Sequence, residues 1–115
     1  MIDFVAALAL SLSREVVPQS QLISGAPETG FAELGDFDGN PYGVWEMTVG
    51  AMSDIEEDEL FIVLAGTGTV AFSTGEQLEL MPGTVGRLEA GQRTVWTATS
   101  TLRKIYISAT GVGND

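Results

Sequence analysis

The chain contains no histidine and no cysteine. Histidine is the commonest metal ligand and the commonest general base in proteins. Its absence excludes a Ser-His-Asp triad and an HExxH zinc site. The absence of cysteine removes the thiol nucleophile, the Cys/His zinc cluster and the disulfide framework of small secreted domains. Any catalyst built from this chain must use carboxylates, Lys, Arg, Tyr, backbone amides or a bound cofactor.

Positive charge is also scarce. Arg14, Arg87, Arg93, Arg103 and Lys104 stand against 16 acids, for a net charge of −11. Nucleic acid is held mainly by Lys and Arg, so a nucleic-acid groove is not expected. An anionic membrane surface is disfavoured for the same reason. Long hydrophobic runs are missing too. The longest, Phe4–Leu10 (FVAALAL), falls far short of a membrane span. It lacks the basic start and small-residue cleavage site of a secretion signal. A cytoplasmic protein is the expectation.

What remains suits one small domain: 115 residues, 44% apolar and 18% charged. From Tyr42 onward, short runs of β-formers alternate with turn residues. The runs are Tyr42–Val49, Asp58–Ala65, Thr69–Ser73, Gln77–Met81, Val85–Glu89, Arg93–Thr99 and Leu102–Ser108. Seven short strands closely spaced by Gly and Pro turns predict an all-β sandwich or barrel. No segment of this region keeps a 3.6-residue apolar period over three turns, so βαβ units are not expected. Residues Ser24–Gly43 hold five Gly and two Pro and read as loops around one short strand. The segment Ile2–Leu12 could form a short helix or lie extended, and extended packing is favoured.

One stretch, Ser53–Gly66 (SDIEEDELFIVLAG), combines five carboxylates with an apolar run: Asp54, Glu56, Glu57, Asp58 and Glu59 precede Leu60–Ala65. Glu59 is followed by six residues and then Gly66. Gly83 is followed by five residues, then Glu89, one residue, and Gly91. These spacings resemble the E-x6-G and G-x5-P-x-G halves of the two cupin motifs. Further likeness lies in Gly43, Trp45 and Glu46, in Glu57, Asp58, Glu59 and Phe61, and in Pro82–Gly83. It continues in Ala90, Gly91 and Trp96, and in Arg103, Lys104 and Tyr106.

On these residues the chain resembles the small single-domain cupins grouped with ureidoglycine aminohydrolase. The resemblance covers roughly 21–108 and implies a jelly-roll barrel, the double-stranded β-helix of the cupins, with its site inside. Residues 1–20 are then an N-terminal extended packing segment and 21–115 the cupin domain. Metal-binding cupins use three His and one Glu. Here the two positions ahead of Glu59 fall in SDIEED, and the third, three residues past Gly91, is Thr94. One carboxylate cannot replace three imidazoles, so no metal and no other cofactor are expected. Two smaller departures are Thr84, where the family has Asp, and Glu89, where it has Pro.

Strand alternation then sorts the candidates by face. If Glu59 points inward, as the motif implies, Phe61 and Val63 do too. Leu60, Ile62 and Leu64 face outward yet are apolar, so a second layer should cover them, and a homodimer is expected. Glu59 is either a structural carboxylate or a functional one, with Arg103 or Lys104 as its partner. Lys104 and Tyr106 share a face and are read as pocket-facing. Trp96 shares the face of Thr94 and should line the cavity. Trp45 and Glu46 lie on opposite faces, so at most one points inward, and both stay candidates. The other carboxylates of the run are read as a solvated strand entrance.

The resulting expectation is a metal-independent cupin that binds a small polar metabolite. Glu59 and Lys104 are the candidates for proton transfer or isomerisation. Phe61, Trp96, Tyr106, Thr94, Trp45 and Glu46 are the candidates for holding the ligand. Two alternatives stand beside it: metal-dependent hydrolysis of a C–N bond, and a non-catalytic accessory module.

Overall fold

A computed structural model describes residues 5–109. Residues 1–4, and with them the start of the Ile2–Leu12 segment, lie outside the described residues, as do 110–115. Eleven strands form two antiparallel sheets. The first sheet orders β1 (Glu15–Val16), β3 (Glu28–Phe37), β4 (Asn40–Met47), β11 (Leu102–Ser108), β6 (Glu59–Ala65) and β9 (Val85–Leu88). The second orders β2 (Leu22–Gly25), β5 (Gly50–Ile55), β10 (Arg93–Ala98), β7 (Gly68–Phe72) and β8 (Gln77–Leu80). Consecutive strands often switch sheets, which gives the jelly-roll sandwich. No helix of the described residues is long and apolar enough to cross a membrane.

The inner faces meet in one apolar cluster. Phe61, Val63 and Met47 from the first sheet pack with Met52, Val70 and Trp96 from the second. Alternation explains the cluster, because Phe61 and Val63 point inward on β6 while Leu60, Ile62 and Leu64 point out. Phe61, Met47 and Val70 are almost fully removed from water. At roughly 1.5–3 kcal/mol for each large apolar side chain, this cluster is the main stabilising element.

Two regions differ from the sequence-based expectation. Ser24–Gly43 is mostly strand: the ten residues of β3 pair with β4 through a tight hairpin. Asp38 and Gly39 form its two-residue loop with φ of 55° and 85°. Both angles lie in the left-handed region that primed hairpin turns require. Asp36 Oδ2 accepts from the Gly39 N–H at 3.1 Å, and Asn40 Nδ2 donates to the Phe37 carbonyl at 3.1 Å. The Asp-Gly pair overrides the glycine and proline content that suggested loops. In addition, Gly50–Ile55 is a strand, β5, paired with β10 from Gly50↔Ala98 to Ile55↔Arg93. Its low β-propensity is offset by two ladders, since β2 pairs on its other side.

The seven strands expected from Tyr42 onward all form, with ends shifted by two residues or fewer. Among its described residues, the N-terminal segment makes one turn over Ala7–Ala9 and no helix. It is tied down by Arg103, on the outer face of β11. Arg103 Nη1 donates to the carbonyls of Ala7 at 2.8 Å and Leu10 at 2.6 Å. Its Nη2 and Nε donate to Glu46 Oε1 at 2.6 and 3.1 Å. Arg14 Nε pairs with the other oxygen of Glu46. Glu46 is 3% exposed. Burial alone would push its carboxyl up, but the hydrogen bonds and charges of Arg14 and Arg103 outweigh that and hold it below the usual carboxylate range.

Three outcomes are expected. Gly39→Ala should cost about 1 kcal/mol in urea denaturation, because alanine resists the left-handed φ. Glu46→Ala should cost about 3–5 kcal/mol, because it leaves the guanidinium of Arg103 without its carboxylate. A carboxyl with a depressed folded pKa gives stability that is complete above its unfolded value of 4.5 and is lost as pH falls through the folded value. Denaturation midpoints measured between about pH 6 and pH 3 should therefore fall more steeply for wild type than for Glu46→Gln.

Candidate functional site

The sandwich is packed with apolar side chains at one end and opens at the other into a cavity of about 360 Å³. Strands β3, β4, β6 and β11 supply one wall, and β5 and β10 supply the other. Lys104 stands at its base. The pairings Lys104↔Trp45 and Lys104↔Val63 put these three side chains on the inner face. The Lys104 side chain is only 8% exposed.

Its ammonium has a complete environment. Nζ donates to Glu59 Oε2 at 2.7 Å. It also lies 4.4 Å from the ring centre of Trp96, 4.7 Å from Trp45 and 4.8 Å from Phe61. Three aromatic faces attract the cation through their quadrupoles, and the carboxylate completes the set. The rings support one another: Trp96 sits 5.6 Å from both Trp45 and Phe61, tilted by 57° and 60°. Tilted pairs of this kind add about 0.5–1.5 kcal/mol each beyond their burial.

Glu56 is a second buried carboxylate, 6% exposed. Thr94 Oγ1 donates to its Oε2 at 2.6 Å, and Trp96 Nε1 donates to the same oxygen at 2.9 Å. Its backbone is fixed as well. The Glu56 N–H donates to the Gln92 carbonyl, and the Gly91 N–H donates to the Glu56 carbonyl, both at 2.8 Å. Asp58 Oδ1 accepts from the Ala90 N–H at 3.0 Å. The carboxylate run thus grips the Glu89–Gln92 turn and aims Glu56 and Glu59 inward on either side of it.

Asp54 also lines the cavity. Burial pushes its carboxyl up, and the neighbouring charge of Glu56 adds to the effect. Tyr106 lies across β4, where Gly43 makes room for it: a Cβ at Gly43 would come within 2.6 Å of the Tyr106 hydroxyl. Burial first, then the charges of Glu33 and Glu59, raise the Tyr106 phenol above its usual value. It therefore stays a hydrogen-bond donor at neutral pH.

Of the candidates read from the sequence, Glu59, Lys104, Trp45, Trp96 and Tyr106 border this cavity. Phe61 and Thr94 stand just behind it, Phe61 beneath the ammonium and Thr94 as donor to Glu56. Glu46 does not belong with them. It points outward, because Trp45 takes the inward position and alternation sends Glu46 to the arginines. For Asp54 and Glu56 the expectation of a solvated entrance is corrected, while Glu57 is exposed. Asp54, on β5, and Glu56, just past its end, both border the cavity. Glu33 and Phe31, at the open end, are not among the candidates read from the sequence, because the composition of Ser24–Gly43 reads as loops around one short strand. The Asp-Gly hairpin signal would have placed them on β3.

A larger concavity, about 650 Å³, lies mostly on the outer face of the second sheet, along Ile55, Ala71, Arg93 and Val95. Among the described residues its lining holds no ion pair, and Phe72 is the aromatic side chain it contains. The smaller cavity concentrates the chemistry.

Cupins commonly carry a metal held by imidazoles and a carboxylate. The residues here do not fit one. Thr94 replaces the third ligand position and is spent on Glu56, while Glu59 is spent on Lys104. Among the described residues, no three Asp or Glu side chains converge closely enough to hold a metal ion.

Comparison with known proteins agrees on the architecture. The family of EutQ-like cupin domains matches residues 35–106. A Pseudomonas syringae protein of unknown function superposes with a TM-score of 0.73 at 23% identity, over 86% of this chain and 44% of its own. The present chain thus spans less than half of that protein. The EutQ protein of Clostridium difficile superposes with a TM-score of 0.70 at 15% identity, over 91% of this chain and 84% of its own. Ectoine synthase from P. lautus gives 0.62 at 18% identity, over 69% and 62%. No protein of curated function matches in sequence. At these identities the structures share a fold, and the fold alone does not carry an activity. The family match runs from the end of β3 into β11, and the chain belongs to the EutQ-like cupin domains.

Proposed function

We propose that this chain is a metal-independent cupin that binds a small polar molecule in the cavity above Lys104. The supporting observation is the Lys104–Glu59 pair. A lysine buried among three aromatic rings is an expensive way to fill a core, because a buried ion pair is often no more stabilising than the apolar side chains that could replace it. Charged groups held at the base of a concave site are instead typical of binding and catalysis. Proton transfer or isomerisation of the bound molecule is the chemistry that Glu59 and Lys104 permit. A net charge of −11 supports a small-molecule partner over nucleic acid or an anionic membrane, and we place the protein in the cytoplasm. The metal-dependent C–N hydrolysis implied by resemblance to ureidoglycine aminohydrolase is not proposed, since the donors it needs are absent from the chain.

The test is a thermal-shift screen of small polar metabolites on wild type and on the Lys104→Met/Glu59→Gln double variant, which removes both charges together. Hits should raise the wild-type Tm and lose most of that shift in the double variant. Equal shifts in both proteins would refute the site. No hits at all would favour an accessory module instead.

We also propose a homodimer, formed through the outer face of β6, β9 and β11. Leu60 and Val85 are exposed there, beside half-buried Ile62, Ile105 and Ile107. The pairings Ile62↔Val85, Ile105↔Ile62 and Ile107↔Leu60 make them one continuous apolar surface. Light scattering at micromolar concentration should give twice the chain mass, and Leu60→Glu should give the monomer. A monomeric wild type would rule this out.

A further inference from the structure

The cavity carries more negative charge than its lysine can balance. Glu33, Asp54, Glu56 and Glu59 border it, against the single ammonium of Lys104. Glu59 is matched to that ammonium at 2.7 Å. The other three carboxylates have no cation partner among the described residues.

Glu56 is the most informative of them. Both of its side-chain hydrogen bonds, from Thr94 and Trp96, reach Oε2. Oε1 accepts none from the described residues. No buried polar side-chain atom among those residues is left without a partner, so Oε1 borders the cavity and is not sealed in protein. A carboxylate that is 6% exposed, fixed through one oxygen and open through the other, is an acceptor aimed at whatever enters. Asp54 stands beside it with one oxygen bonded only to the Ile55 N–H, at 2.8 Å. A cation delivering N–H donors satisfies both groups. An anion would meet the carboxyl groups of Glu33, Asp54 and Glu56.

Resting on the proposed small-molecule site, we infer that its ligand is a small organic cation with N–H donors, a primary amine or a guanidine, whose charged head lies against Glu56 and Asp54. Lys104 already occupies the faces of Trp45, Trp96 and Phe61, so hydrogen bonding to carboxylate, more than ring stacking, selects the head group. Tyr106 offers its hydroxyl to a polar tail. A cavity of about 360 Å³ limits the whole ligand to small-metabolite size.

The experiment is a charge series of nearly constant shape. The chain has two tryptophans, so uniformly ¹⁵N-labelled protein shows two indole N–H signals, and that of Trp96 reports directly on Glu56. n-Butylamine and n-butylguanidine, both cations at neutral pH, are titrated beside butan-1-ol and butanoate. At least one cation should shift the Trp96 indole and bind about tenfold more tightly than the alcohol, the ratio expected for a hydrogen bond to a charged group. Butanoate should not bind. Glu56→Gln, and separately Asp54→Asn, should weaken the cation while leaving the folded spectrum intact. Asp54→Asn keeps the test available if Glu56→Gln fails to fold. Tighter binding of butanoate or the alcohol than of either cation would overturn the charge assignment and leave the small-molecule site standing. Indole signals unmoved by either cation would also overturn it, while the metabolite screen judges the site independently.

Discussion

The ammonium of Lys104 is the constraint around which the open end of the sandwich is organised. It requires a carboxylate within hydrogen-bond reach and low-polarity walls that still attract charge. Glu59 meets the first need, and the faces of Trp45, Phe61 and Trp96 meet the second. These partners come from β4, β6 and β10, so both sheets must be in register for the site to exist. The opposite face of β11 adds a check. Arg103, one residue earlier, points outward to Glu46. A one-residue slip of β11 would turn both cations to the wrong face and part each from its carboxylate. Two ion pairs on opposite faces of one strand thus specify the register along with the apolar pattern, and the bulge against β6 falls between these two residues.

The five carboxylates ahead of the apolar run of β6 divide the remaining work. Glu59 matches the lysine, and Asp58 caps the turn before β10. Glu56 joins that turn by its backbone and Thr94 and Trp96 by its side chain. Asp54 faces the cavity with little to hold it, and Glu57 is exposed. What looks in sequence like one acidic patch is therefore a set of different contacts. They are separated by strand alternation and by the change from β5 to β6.

This division explains what sequence alone could reveal. Glu59 and Trp96 were legible because the cupin resemblance sets an inward face at Glu59 and at the Thr94 position. Period-two alternation carries that face along each strand, and it grouped Lys104 with Tyr106 on one face of β11. Trp45 and Glu46 could not be separated that way. Alternation says that they differ, and only the register with β11 says which one faces inward. Glu56 was hidden for another reason. It lies just past the end of a strand built from Gly, Ala, Met and Ser, whose propensity is weak and whose pairing is supplied by its neighbours. β3 was hidden by composition, since its glycines and the nearby prolines outnumbered its β-formers. The Asp-Gly turn that decides its pairing is two residues long.

Replacing imidazoles with carboxylates and a threonine changes what the cavity costs the protein. A metal would gather negative ligands and neutralise them. Here Thr94 stands at the third ligand position and gives a neutral hydrogen bond to Glu56, which leaves that carboxylate's charge in place. The penalty shows at Asp54, where burial and then the charge of Glu56 favour the protonated acid. Any positive group entering the cavity would relieve that opposition and favour the carboxylate form of Asp54. The EutQ-like cupin sandwich keeps its barrel by packing one end with Phe61, Val70 and Met47. The charged end can then remain electrostatically unbalanced, because the stability it gives up is supplied elsewhere in the same two sheets.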